Sequence, residues 1–352
     1  MGYIISGIQQ IGIGVSDAEK AWTWYRRNFG MDVPVFKDSA TATLMTPYTG
    51  NHAEDRYAIL AMNMQGGGGF EIWQFTSRTP VKSNVQHLLG DTGVFAVKLK
   101  TKDIDAAFQH MKSNGVNLLK GIQSSPDGRR HFYVLDPFDN IFEVIESKSW
   151  FKNTRAMTGG VAGCVIGVTD VDKALKLYRD ILGYDEVIYD GKKKFSDFDG
   201  VPGGSEEFRR IILRSNKNRT GAFSRLLGDT EIELVECKSR KVNKIFRERY
   251  WGDLGYIHVC FDINGMVSLA DKCKQANFGF TVDSRDSFDM GKAAGHFSYC
   301  EDPDGTLIEF VETHKIPIFE KIGWYLNIKN RRPDKPLPDW MLGMLALNRV
   351  KD

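Results

Sequence analysis

The segment Asp17-Ala-Glu-Lys-Ala-Trp-Thr-Trp-Tyr25-Arg-Arg-Asn-Phe-Gly30 recurs without a gap as Asp170-Val-Asp-Lys-Ala-Leu-Lys-Leu-Tyr178-Arg-Asp-Ile-Leu-Gly183, 153 residues further on. A repeat of this length means that both copies fold to the same local structure, which narrows the possible architectures more than any single motif does. A second match pairs Gly90-Asp-Thr-Gly-Val-Phe-Ala96-Val with Gly252-Asp-Leu-Gly-Tyr-Ile-His258-Val, 162 residues apart. A third pairs Asp136-Pro-Phe-Asp-Asn-Ile-Phe-Glu143 with Asp302-Pro-Asp-Gly-Thr-Leu-Ile-Glu309. Each half therefore divides again, into four related modules that begin near Ile8, Gly93, Val161 and Tyr256.

Each module opens with a short apolar run such as Ile11-Gly-Ile13-Gly-Val15, followed in three of them by an Asp at position 17, 103 or 170. An Asp there accepts hydrogen bonds from the free N–H groups of a first helical turn. Ala21, Trp22, Tyr25 and Phe29, and likewise Ala174, Leu175, Tyr178 and Leu182, recur at three and four residues, which predicts a helix with one buried stripe. Gly30, Gly115, Gly183 and Gly279 are expected to end the four helices as left-handed residues. Alternating or apolar runs follow, and the last of them in each module carries a Glu. The order is strand, helix, then about three strands.

The boundary between halves is placed in the polar stretch 147–160, which ends in Gly159-Gly160. The Gly66 to Gly69 run lacks the Lys-Ser/Thr of a phosphate loop and leads into Phe70-Glu-Ile-Trp-Gln-Phe75, so a flexible hairpin is expected. Beyond His314 the repeat ends. Lys329 to Pro338 suggests an extended arm, and Trp340, Met341, Leu342, Met344, Leu345 and Leu347 suggest a short amphipathic helix packed on the body or on a second subunit.

With 47 Lys+Arg against 45 Asp+Glu in 352 residues, the net charge of +2 lacks the electrostatic footprint of a nucleic-acid binder. The five cysteines, Cys164, Cys237, Cys260, Cys273 and Cys300, are scattered and form no C-x-x-C pair, so reduced packed thiols are expected. No apolar run reaches the roughly 18 residues that a membrane span needs, and the N-terminus has no signal-peptide pattern. The expectation is a cytoplasmic protein that acts on a small molecule, with a homo-oligomer left open and neither nucleic acid nor membrane as partner.

Four such modules, with an Asp-capped helix ending Tyr-Arg-x-x-x-Gly and Asp-Pro-x-x-x-x-x-Glu closing modules two and four, resemble the vicinal oxygen chelate superfamily over residues 8 to 314. Glyoxalase I, extradiol dioxygenases, epimerases and antibiotic-resistance binding proteins belong to it. The resemblance implies an α+β fold of four βαβββ modules in two glyoxalase-like domains with cupped, mixed or antiparallel sheets. The expected boundaries are 1–150 for modules one and two, 151–315 for modules three and four, and 316–352 for a C-terminal arm and short helix.

In that superfamily two modules pair into a cupped sheet, and metal ligands come from the first and last strands of each. The positions implied here are Gln10 and Glu71 in module one, Ala96 and Glu143 in module two, Gly163 and Glu233 in module three, and His258 and Glu309 in module four. Pairing in sequence order leaves Ala96 and Gly163 where donors belong. Pairing one with four assembles Gln10, Glu71, His258 and Glu309, similar to the set of eukaryotic glyoxalase I, and leaves Ala96, Glu143, Gly163 and Glu233 as a second, metal-free hollow.

One imidazole, two carboxylates and an amide oxygen suit a divalent metal: Zn, Ni, Mn, Co or Fe(II). The resemblance then implies a metal-dependent lyase, isomerase or epimerase whose ion binds the vicinal oxygens of a substrate and stabilises an enediolate, with Glu309 as base and Glu71 acting from the opposite side. The alternatives are an extradiol-type Fe(II) dioxygenase, which normally uses two His and one carboxylate, and a metal-free binding protein. The positions that in glyoxalase I help to hold glutathione are Gly14, Leu254 and Phe75 here, which speaks against a glutathione adduct. Lys292 and His296, in Met290-Gly-Lys-Ala-Ala-Gly-His296, are expected near the mouth as substrate contacts.

Overall fold

The computed structural model describes residues 2–285, 288–289, 294–319 and 323–351. Two large sheets carry the fold, and each draws on both halves of the sequence. In the first, the strands run in the order Val282–Asp283, Ala294–Glu301, Leu307–Phe319, Gly255–Asn264, Ile4–Gly14, Gly69–Phe75, Asp55–Met62, Val33–Thr41, which joins module four to module one. In the second, Glu186–Lys193, Phe208–Arg214, Glu231–Cys237 and Val161–Val168 of module three continue into Gly93–Thr101, Ile141–Glu146, Arg130–Leu135 and Asn117–Leu118 of module two. The crossed pairing of modules is the one the donor positions imply.

The seam of the first sheet is an antiparallel ladder in which Gln10 faces Cys260 and Gly12 faces His258. Beside it, in parallel register, Gly12 lies next to Glu71 on one flank, and Cys260 next to Glu309 on the other. Because side chains alternate along a strand, Gln10, Glu71, His258 and Glu309 rise from one face, while Ile11, Ile13, Ile72, Val259 and Phe310 enter the core on the other. That core is continuous: it takes in the helices Ala18–Phe29, Ile104–Ser113, Val171–Tyr178 and Met266–Gln275 and residues of both sheets.

Asp17, Asp103 and Asp170 cap their helices as expected, accepting from the backbone N–H of Lys20, Ala106 and Lys173. The fourth helix has Gly265 at its N-cap, and the Glu312 carboxylate, from a neighbouring strand, accepts from the N–H groups of Gly265 and Met266 at 2.9 and 3.2 Å. Gly30, Gly115 and Gly183 are left-handed, with φ of 62°, 72° and 70°. Gly279 is not; Asn277, with φ of 64°, ends that helix, a role its short polar side chain tolerates. Within each half the helix is tied to the next module's closing turn: Tyr25 Oη donates to Asp136 at 2.6 Å, and Tyr178 Oη donates to Asp302 at 2.9 Å.

The Gly66 to Gly69 run does connect two antiparallel strands, Asp55–Met62 and Gly69–Phe75, as expected of a hairpin, but it is not a loose surface loop. It is buried against the end of the linker, where Gly68 bridges Val161 and a Cβ on Gly67 would lie 2.6 Å from the Gly160 carbonyl carbon. Two glycine runs are needed there because the two chain segments touch backbone to backbone. The C-terminal arm packs on the body: the strand Trp324–Asn327 pairs with Leu307–Phe319, and Leu337, Leu342 and Leu345 join Val33, Met62, Phe223, Leu226, Leu227 and Ile316 in a separate apolar cluster.

Candidate metal centre

His258, Glu309 and Glu71 converge at the floor of the first hollow. His258 Nε2 lies 3.0 Å from Glu309 Oε2 and 3.4 Å from Glu71 Oε2, and Gln10 Nε2 lies 3.3 Å from the same Glu71 oxygen. All four residues are buried. Neither contact of His258 Nε2 has hydrogen-bond geometry, and Gln10 Oε1 and Glu309 Oε2 also lack a partner. Ligands about 2.1 Å from a common ion stand about 3.0–3.4 Å apart at octahedral or tetrahedral angles, so the spacing of His258 from Glu309 and Glu71, with the unpartnered Gln10 Oε1 beside them, fits a divalent cation. Two carboxylates and a neutral imidazole balance its charge.

Burial alone would lower the His258 pKa, but Glu309 and Glu71 outweigh it and push the imidazole up to about 9. Burial would raise Glu309; the charge that His258 carries when no ion is bound, with the neighbouring imidazole, Tyr299 phenol and Cys260 thiol, brings it below the usual carboxylate range. Tyr299 stands at 3.4 Å from His258 Nδ1. Burial, then the charges of Glu309 and Glu71, keep its phenol protonated, so it orients both ligands from behind them. Gly12 is the other supporting residue: a Cβ there would lie 2.4 Å from His258 Cε1. Tyr299, Cys260 and Gly12 escape the sequence reading, although the ladder position of Gly12 directly opposite His258 is what makes a side chain impossible.

A cavity of about 620 Å³ opens above these residues, within the range typical of small-molecule sites. Its walls are mostly apolar, among them Phe36, Leu60, Met62, Trp73, Trp251 and Phe297. Gly14 carries no cation and has room for none, since a Cβ would sit 1.9 Å from the Asp253 carbonyl oxygen. His296 does not enter the cavity. Gly295 and Phe297 on either side of it do, and His296 points to the other face, where Nε2 is 2.5 Å from Asp283 Oδ1. Lys292 lies outside the described residues.

The second hollow has the equivalent carboxylates but a different occupant. The parallel registers place Lys98 beside Glu143, as Cys260 stands beside Glu309. The Lys98 ammonium is 2.5 Å from Glu233, 2.6 Å from Glu231 and 3.5 Å from Glu143, with no solvent exposure. Around it, Arg210 bonds Glu233 and Asp197 at 2.6 Å each, and His131 meets Glu143 at 2.7 Å. Arg129, Arg214 and Asp127 extend the network, so five cations (Lys98, Arg129, Arg210, Arg214 and protonated His131) face five anions (Asp127, Glu143, Asp197, Glu231 and Glu233). Phe195, Phe198, Tyr133 and Phe208 fill the rest. Ala96 packs in that cluster, and Gly163 has no room for a donor because a Cβ would lie 2.3 Å from the Glu231 carbonyl oxygen.

The network makes stability depend on pH. Burial would lower the His131 pKa, but Glu143 and Asp197 raise it to about 9. A histidine raised in the fold stabilises below the unfolded value near 6.5 and loses that contribution as pH climbs through 9, about 3 kcal/mol in all. Urea unfolding is expected to show this loss between pH 6 and 9.5, and His131→Gln is expected to flatten the slope. An equal slope in the variant contradicts it.

The Glyoxalase/Bleomycin resistance protein/Dioxygenase superfamily model matches residues 7–144 and 160–310. No curated protein matches the sequence. Among solved structures, glyoxalase I from Zea mays is similar at 13% identity and a TM-score of 0.52, covering 87% of this chain and 92% of the other. A putative dioxygenase from Bacillus subtilis is similar at 15% identity and a TM-score of 0.56, covering 88% and 86%. At such identities the likeness is one of fold. With two matched repeats that span most of its length, the chain belongs to the Glyoxalase/Bleomycin resistance protein/Dioxygenase superfamily.

Proposed function

We propose that this protein is a metal-dependent isomerase, epimerase or lyase that moves a proton on a small substrate with two adjacent oxygens, by way of an enediolate. The observation that carries the reading is the opposition of two carboxylates, Glu309 and Glu71, across one buried imidazole. Gln10, Glu71, His258 and Glu309 would hold a divalent ion, which would supply positive charge for the oxygens on which negative charge develops. Glu309, beside the Tyr299 phenol, takes the proton from the carbinol carbon next to the carbonyl. Glu71, on the other side, returns a proton to the opposite face of that carbon, which epimerises it, or Glu309 returns the proton to the adjacent carbon, which isomerises the hydroxyketone. The apolar walls exclude water from the carbanion-like centre. One imidazole with two carboxylates is not the donor set of two histidines and one carboxylate that extradiol chemistry uses.

Hydroxyacetone in heavy water tests the reading. The protein loaded with Zn, Ni, Mn or Co is expected to exchange the carbinol hydrogen for deuterium, read by NMR, and Glu309→Gln is expected to slow this by about 10²- to 10⁴-fold. Oxygen uptake with a catechol by the Fe(II)-loaded protein, and no exchange with any metal, contradicts it.

A further inference from the structure

The registers of the first sheet lay out the cavity in rows. Leu60, Glu71, Gly12 and His258 form the row at the metal ligands, and Gly69, Gln10, Cys260 and Glu309 form the next, with Met62 two residues on from Leu60. Going on from Glu309 in that direction, the inward-facing residues are Val311 and Thr313, then Ile316, where the strand meets the C-terminal arm. Side chains on one face of a strand are about 6.6 Å apart, so Thr313 stands about 13 Å along the strand from Glu309. In the opposite direction, two and four residues from Leu60, lie Ala58 and Arg56.

The two ends differ in chemistry. Arg56 is the one cation among the described residues that line the cavity, and it is paired with Asp38 at 3.0 Å. The other end is closed by Met62, Phe223, Leu226, Leu227, Ile316 and Leu345, which belong to a single apolar cluster. Part of this wall comes from outside the paired modules one and four. Ile316 and Leu345 lie beyond residue 310, where the family match stops, and Phe223 to Leu227 reach over from module three, whose strands belong to the other sheet. A C-terminal extension has been laid across the hollow with leucine and isoleucine facing in.

We infer that the substrate is amphipathic: the vicinal oxygens sit at the metal ligands, and an alkyl or arylalkyl body runs toward the C-terminal arm, whose Leu345 limits its length. This rests on the proposed function for the oxygen-bearing head and on the cavity walls for the body. A polyanionic body finds no unpaired cation along the described walls. A hydrocarbon body finds apolar surface of the kind that gives about a fourfold gain in affinity for each methylene buried.

Calorimetry with two probe series on the zinc-loaded full chain separates the two parts. One series is alkyl hydroxamates from acetohydroxamate to decanohydroxamate, which carry adjacent oxygens; the other is 1-alkanols of the same lengths, which do not chelate. Affinity is expected to rise about three- to fourfold per methylene in both series and then to level off. In Leu345→Trp, decanohydroxamate is expected to lose at least tenfold more affinity than acetohydroxamate. Affinity that is flat with chain length in both series overturns the inference, as does an equal loss of both hydroxamates in the variant. A rising slope with hydroxamates binding no tighter than alkanols contradicts the metal reading and leaves the hydrocarbon subsite standing. The wild-type slopes decide the matter even if the variant fails to fold.

Discussion

Lys98→Met is expected to lower the free energy of unfolding by about 3–5 kcal/mol, the range for removing one partner from a buried ion cluster. Methionine nearly matches lysine in volume, so the loss comes from charge and not from a cavity. In the wild type the ammonium is fully buried against Glu231, Glu233 and Glu143. Burial would raise the pKa values of Glu143 and Glu231, and the charge of Lys98, the largest opposing influence on each, instead holds both low. Without it the two carboxylates revert toward raised values. A carboxylate raised in the fold is tolerated while protonated and costs stability as pH rises through its pKa. The deficit of the variant is therefore largest above neutral pH and shrinks toward pH 5. Urea unfolding at pH 5.5 and 7.5 measures it. A change below about 1 kcal/mol at pH 7.5 would mean that Arg129, Arg210, Arg214 and His131 hold the carboxylates without Lys98.

His258→Ala is expected to lower the affinity for a divalent ion by at least about 100-fold, since it removes the only nitrogen donor from the set and leaves two carboxylates and an amide. Elemental analysis after desalting is expected to give about one ion per chain for the wild type and less than about a tenth of that for the variant. Proton exchange should fall in parallel. The substitution also relieves the crowding at Gly12, whose missing side chain makes space for the ring, so the strand ladder is expected to persist and far-UV circular dichroism to be unchanged. Equal metal content in both proteins would remove His258 from the ligand set.

Much of this site could be located from the sequence because the repeat acts as a ruler. Once the Asp-capped helices and the Asp-Pro turns are aligned, the first and last strands of every module are fixed. The poor match of Ala96 and Gly163 to donor positions then selects the crossed pairing seen in the two sheets. Other features depend on what faces what. His296 was expected at the mouth from its place in a glycine-rich segment, yet on a strand with a two-residue period the neighbours Gly295 and Phe297 take the inward positions. Gly279 looks like a helix stop by spacing, but Asn277 reaches the left-handed region two residues earlier.

Lys98 shows where local sequence stops being informative. A lysine inside an apolar strand signals buried charge, but its partners Glu231 and Glu233 stand more than 130 residues away and belong to the other sequence half. The buried contact between Gly66 to Gly69 and Gly159-Gly160, and the entry of Leu345 into the cavity wall, likewise depend on tertiary packing that no local pattern records.

The central claim is that module one and module four together hold a single metal ion. A crystal of the zinc-loaded protein, measured at the zinc absorption edge, tests it directly. The account predicts one anomalous peak per chain, about 2.0–2.2 Å from Gln10 Oε1, His258 Nε2 and a carboxylate oxygen each of Glu71 and Glu309. A peak between Glu143 and Glu233 in the second hollow, or none beside His258, would contradict it.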